Sequence, residues 1–196
     1  MTPERQNKLD RVVAMRQANL TVVMENIEDP RNIAAVMRTC DSVGVQDLYV
    51  LNYSQPHRKK WKYKSARSSA KWLTLHQLTS VEECIEILRR GHFKIFTTRL
   101  TASARSLYDI DFTEKIALVF GNEQDGVSDT ITNLADGNFL IPQVGMIQSL
   151  NISVACAVSL YEAFRQKSIA GHYQHVSLPA DRFIQLKTEW GLQEEL

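Results

Sequence analysis

Hydrophobic positions along the chain change period several times, and each change marks a new element. Residues 3–19 are mostly polar but bring Leu9, Val12, Val13 and Met15 toward one side at helical spacing, with Pro3 near the start and Asn19 at the end. LTVVMEN (20–26) is a compact β-branched run, the pattern of a strand central in a sheet. Asp29-Pro30 opens a helix, because the fixed φ of proline suits a first turn; Ile33, Val36, Met37 and Cys40 face inward and Gly44 stops it. Residues 47–51 form a second strand. This βαβ opening predicts a parallel sheet with a right-handed crossover.

The alternation continues. WLTLHQL (72–78) reads as a short strand or loop, and Thr79-Ser80 caps a helix through Arg90, with Glu82 and Glu83 in its first turn and Gly91 beyond its end. FKIFTT (93–98), KIALVF (115–120) and NFLI (138–141) are further strands. Helices are expected from Ser128 and from Ser149 to about Ala170, and an amphipathic segment follows Pro179. There is no internal repeat. The expected organisation is an N-terminal helical extension (1–19), one α/β domain (20–170) and a C-terminal helical extension (171–196).

Composition narrows the class. Of 196 residues, 44% are apolar and 23% charged, the balance of a globular protein able to bury a core. No apolar run approaches the roughly 20 residues needed to span a bilayer, so no membrane partner is expected. Cys40, Cys84 and Cys156 are widely separated and no Cys-x-x-Cys occurs, which argues against a disulfide framework or zinc site and for a reducing cytoplasm. His172 and His175 have no other ligand types beside them, so no metal is expected.

Net charge is only +1, but it is unevenly spread. Arg58, Lys59, Lys60, Lys62, Lys64, Arg67 and Lys71 fall within 58–71 without an acid; the rest of the chain has 16 basic residues against 22 acidic ones. Trp61, Tyr63 and Trp72 interleave with these charges. Cations that neutralise phosphates, beside rings that stack on bases, point to RNA rather than to a merely solvated loop.

Two loops are candidates for a small ligand. Ile141 to Val158 runs from a strand end through Pro142 and Gly145 into a helix of small residues, where free backbone N–H groups converge. With Val144, Met146, Ile147 and Leu150, it is too apolar for an ordinary solvated turn. GNEQDGVS (121–128) has the spacing of a phosphate-binding loop, but Val127 replaces the lysine and Glu123 and Asp125 would repel phosphate. A triphosphate is therefore excluded, and the absence of G-x-G-x-x-G disfavours a dinucleotide. Read alone, Ser149 is a helix cap and Arg38 a surface arginine.

Three blocks in fixed order, NIAAVMRTCDSVGV (32–45), LVFGNEQDGVS (118–128) and IPQVGMIQSLNISVACAV (141–158), resemble the SpoU/TrmH family of S-adenosylmethionine-dependent RNA ribose 2′-O-methyltransferases, within the SPOUT class. The flanks are most similar to its tRNA (guanosine-2′-O) branch. The resemblance implies a parallel α/β sheet whose C-terminal part is threaded into a trefoil knot, a topology that general rules disfavour. It also implies an obligate homodimer acting on tRNA, with a D-loop guanosine as target. Ribosomal RNA is the alternative substrate, and a non-catalytic RNA-binding module the more distant one.

On these blocks Thr98, Gly121, Ile141, Met146, Ser149 and Leu150 would hold S-adenosylmethionine. Arg38, Asn32, Glu123, Ser149 and Asn151 would form the catalytic group. The cationic Arg58, Lys59, Lys60, Lys62, Lys64 and Arg67 would bind RNA.

Overall fold

The computed structural model describes residues 1–54, 70–99, 101, 104–122, 124–147 and 149–192. The basic residues Arg58, Lys59, Lys60, Lys62, Lys64 and Arg67, and also Glu123, lie outside these.

Seven strands, β1 (Leu20–Glu25), β2 (Asp47–Leu51), β3 (Thr74–Leu78), β4 (Lys94–Thr98), β5 (Arg105–Ser106), β6 (Ile116–Phe120) and β7 (Gly137–Leu140), form one sheet in the order β3-β2-β1-β6-β4-β7-β5. Every pairing is parallel. All six residues of β1 are buried between β2 and β6, as its uninterrupted β-branched run requires.

Helices cover both faces. Val22, Met24, Leu118 and Phe120 face α2 (Pro30–Ser42) and α5 (Ile152–Ile169); the alternate positions Val23, Ala117 and Val119 face α3 (Val81–Arg90) and α4 (Asp129–Leu134). The period-2 alternation of strand side chains thus fills two separate core layers. Cys40 of α2 and Cys156 of α5 are buried together, and burial beside Cys40 pushes the Cys156 thiol well above its usual range.

Most helix starts follow local chemistry. The Asp29 side chain accepts from the Arg31 backbone N–H at α2, and Ser80 does the same for Glu83 at α3. Gly44, at φ +82, supplies the left-handed turn that takes the chain from α2 into β2.

Two expectations need correction, and one strand was not expected at all. Helix α1 (Pro3–Ala14) stops short of Asn19, because the chain turns there, buries Arg16 and pairs Gln17 with Val45. Helix α5 begins at Ile152 rather than Ser149: Asn151 is its cap, accepting from the Ser153 N–H (2.8 Å) and Oγ (2.6 Å). Strand β5, two residues long, was too short to show a period.

The terminal helices meet. Leu9 and Val13 of α1 pack against Leu178, Leu186 and Leu192 around α6 (Ala180–Glu189), with Trp72 and Trp190 at the margin. Arg16 lies beneath them, ion-paired to Asp41 at 2.5 Å and 5.1 Å from the Trp190 ring centroid.

Candidate functional site

Strands β6, β4 and β7 are neighbours, so their C-terminal ends converge on one edge of the sheet. In open parallel sheets this edge is where ligands bind. A cavity of about 550 Å³ opens there. Thr98 leaves β4 into it, Gly121 leaves β6, and Ile141 leaves β7; the mouth of α5 closes it with Ser149, Leu150, Asn151 and Ile152.

The Gly121–Ser128 loop is a compact turn. The Asn122 side-chain oxygen accepts from the Gln124 (2.9 Å) and Asp125 (2.7 Å) backbone N–H groups, and the Gly126 N–H donates to the Asn122 carbonyl at 3.0 Å. A Cβ on Gly121 would collide with the Gly126 and Val127 backbone, so the two ends of the turn touch and only glycine fits. Gly126 has a φ of +69. Gly121 and Gly126 therefore add no side chain to the cavity, which the loop also lines with Asn122, Gln124 and Asp125.

Opposite it, Phe120, Phe139, Leu140, Ile141, Leu150 and Ala155 make an apolar wall. Volume, apolar walls and the polar residues of the Gly121–Ser128 loop suit a flat heterocycle with a short polar tail. Polar groups at the rim come from Arg99, Gln143, Ser149 and Asn151. The Arg99 guanidinium is already paired with Asp129.

Of the six residues expected to hold a cofactor, Thr98, Gly121, Ile141, Ser149 and Leu150 line this cavity, and Met146 does not. Met146 is 99% exposed and its neighbour Val144 fully so. Among the residues expected to do chemistry, Ser149 and Asn151 are at the rim, and Asn151 Nδ2 donates to Asn32 Oδ1 at 3.2 Å. Arg38 is exposed, does not line the cavity, and has no hydrogen-bond or ion-pair partner among the described residues.

Sequence reasoning missed Phe120, Phe139, Arg99, Asn122 and Gln143 as lining residues. The signal was available, since four of the five sit at or just beyond a strand's C-terminal end. Among the described residues no cluster of three or more His, Cys, Asp or Glu could hold a metal ion, and no helix is long and apolar enough to cross a membrane.

The SpoU rRNA Methylase family model matches residues 19–161, which include both loops and the start of α5. This chain belongs to the SpoU methylase family. Within it, a tRNA (guanosine(18)-2′-O)-methyltransferase of Thermus thermophilus is 36% identical over 191 residues, covering 96% of each chain. The crystal structure of the Aquifex aeolicus TrmH/SpoU tRNA modifying enzyme superposes with a TM-score of 0.87 at 32% identity, covering 98% of each chain. A second SpoU methyltransferase structure, AviRb from Streptomyces viridochromogenes in complex with AdoMet, has a TM-score of 0.67 at 29% identity, covering 80% of this chain and 64% of the other.

Proposed function

We infer that the protein is an S-adenosylmethionine-dependent tRNA ribose 2′-O-methyltransferase whose target is a guanosine of the D-loop. The single observation that carries this is a largely apolar cavity at the ends of β6, β4 and β7, in a chain 36% identical over 191 residues to a tRNA guanosine methyltransferase.

The cavity fits the donor. Phe120, Phe139, Ile141 and Leu150 offer apolar surface for adenine, while the backbone around Gly121 and the Ser149–Asn151 rim offer polar partners. Bound there, S-adenosylmethionine would supply an electrophilic methyl carbon for transfer from its sulfonium to the ribose 2′-oxygen.

The protein's task is to hold that oxygen in line and stabilise its growing negative charge. Arg38 is the group assigned to it. Guanidinium stays protonated, so Arg38 acts as a charge stabiliser rather than a base. Its exposed side chain, unpaired among the described residues, is available to an incoming ribose or phosphate. Asn32, held by Asn151, orients the ribose beside it. Glu123 belongs to the same group through its place in the Gly121–Ser128 loop. The basic residues Arg58 to Arg67 hold the RNA.

The active form in this reading is an obligate homodimer. Val154, Tyr161 and Phe164 form an exposed apolar stripe on α5, and Val144, Met146 and Ile147, in the loop that precedes it, are exposed as well. Such a surface is the kind that a second subunit covers. The C-terminal trefoil knot belongs to the same proposal. So does a cytoplasmic location, which the three buried free cysteines support.

The test is to incubate the protein with labelled methyl donor and separate tRNA and ribosomal RNA transcripts, then map the product. Label on a tRNA D-loop guanosine is expected, and Arg38→Ala should abolish it without loss of donor binding or of the dimer in sedimentation. Label on ribosomal RNA alone would overturn the tRNA assignment.

A further inference from the structure

We propose that Glu25 and Asn26, at the C-terminal end of β1, are positioning residues that fix the root of the basic segment against the loop of the donor cavity. The inference rests on the reading that this segment holds RNA, and adds the means by which RNA and methyl donor are kept in register.

Glu25 is fully buried. A buried carboxylate needs partners, and this one draws them from two distant parts of the chain. Oε1 accepts from the Tyr53 hydroxyl at 2.5 Å, and Oε2 accepts from the Ser128 backbone N–H at 2.9 Å. Burial and this bond to Glu25 raise the Tyr53 phenol above its ordinary range.

Ser128 ends the Gly121–Ser128 loop, of which Gly121, Asn122, Gln124, Asp125 and Gly126 line the cavity. Tyr53 and Ser54 begin the stretch that leads to Arg58 and the lysines. One carboxylate therefore holds the exit of the donor loop and the entry of the basic segment.

Asn26 reinforces the second half of this link. Its Oδ1 accepts from Tyr53 N (3.1 Å), Ser54 N (3.2 Å) and Ser54 Oγ (3.1 Å). Its φ of +51 lies in the left-handed region, which a residue other than glycine occupies at a cost. Its own N–H donates to the Leu51 carbonyl at 2.8 Å, at the end of the adjacent β2. An apolar contact could hold a strand end equally firmly. Five hydrogen bonds converging on two adjacent side chains fix direction as well as distance. In-line transfer demands that, since a misplacement of ~1 Å lowers rates about 100-fold.

Three variants of the full chain separate this role from plain stability. Tyr53→Phe deletes one bond to Glu25 and leaves the Ser128 bond. Glu25→Gln keeps the shape but leaves one oxygen for two donors. Asn26→Gly removes the three-way acceptor while relaxing the φ. Each should lower kcat about tenfold with tRNA and donor saturating. The donor Kd by calorimetry should stay within about twofold, and Asn26→Gly should not lower Tm. Unchanged kcat in both Tyr53→Phe and Asn26→Gly would overturn the proposal, as would a fall in kcat that follows Tm. A parallel arm tests the underlying reading: changing Lys59, Lys60, Lys62 and Lys64 to Gln should weaken tRNA binding and flatten its salt dependence. Unaltered tRNA affinity there, with an active wild-type enzyme, removes the RNA role of the segment and the proposal with it.

Discussion

Asn151 and Asn32 meet across 3.2 Å, joining the start of α5 to the first turn of α2, 119 residues away in sequence. The same Asn151 side chain turns its oxygen to Ser153 and caps α5. One amide thus carries both of its functions, acceptor for its own helix and donor to the neighbouring one. Two helix ends are locked together at the rim of the cavity.

The two functions separate by substitution. Asn151→Ser keeps a cap acceptor but has no amide to reach Asn32, so stability should change by less than about 0.5 kcal/mol while methyl transfer falls about tenfold or more. Asn151→Ala removes both and should lose about 1 kcal/mol in addition. Steady-state transfer and thermal denaturation, measured together, check this; full activity in Asn151→Ser would reduce the residue to a cap.

Gly121→Ala should damage the cavity itself. The added methyl group meets the Gly126 and Val127 backbone, which cannot move aside as a flexible side chain could. A stability loss of about 1–3 kcal/mol and at least tenfold weaker donor binding are expected. Calorimetric titration of the variant decides the point, and wild-type affinity would mean that the turn is free to open.

Lys167 gives a pH signature. It is fully buried, its Nζ has no hydrogen-bond partner among the described residues, and burial lowers its pKa to about 8, against a smaller opposing pull from Asp111. Unfolding returns it to its ordinary 10.5. Between about pH 8 and 10.5 the unfolded chain binds more protons, so this group's penalty is complete below pH 8 and fades as pH rises. Lys167→Met should therefore stabilise the protein at pH 7 by up to about 3 kcal/mol, with the difference from wild type shrinking toward pH 10. The His172 pKa, lowered by burial and next by Lys167, should rise in the variant. Denaturant titrations across pH and an NMR titration of His172 would reveal either failure.

Most of the sheet was legible because its signals are local. The β-branched run of β1, Asp29-Pro30 at α2 and Ser80 at α3 each specify their element within a few residues, and the structure has all three. What escaped depends on partners far along the chain. Nothing within 10–19 says that Arg16 is buried, because Asp41 and Trp190 supply its surroundings. Ser149 and Asn151 are both good caps by type, and only geometry selects Asn151. The cavity was legible as two loops, and the strand ends that supply Phe120 and Phe139 were legible too, but that β6 and β7 flank β4 and bring the two rings within 6.4 Å depends on a strand order the sequence does not reveal.

The shared packing of α1 and α6 ties the fates of the two chain ends. Leu9 and Val13 have α6 as their cover, and Arg16 has the Trp190 ring above it. Peeling α6 away would expose those leucine and valine surfaces and strip a buried guanidinium of one of its neighbours, so α1 should loosen with it. Helices α1 and α6, far apart in sequence, thus form one cooperative opening unit, and their slowest amide hydrogens should exchange at a common rate.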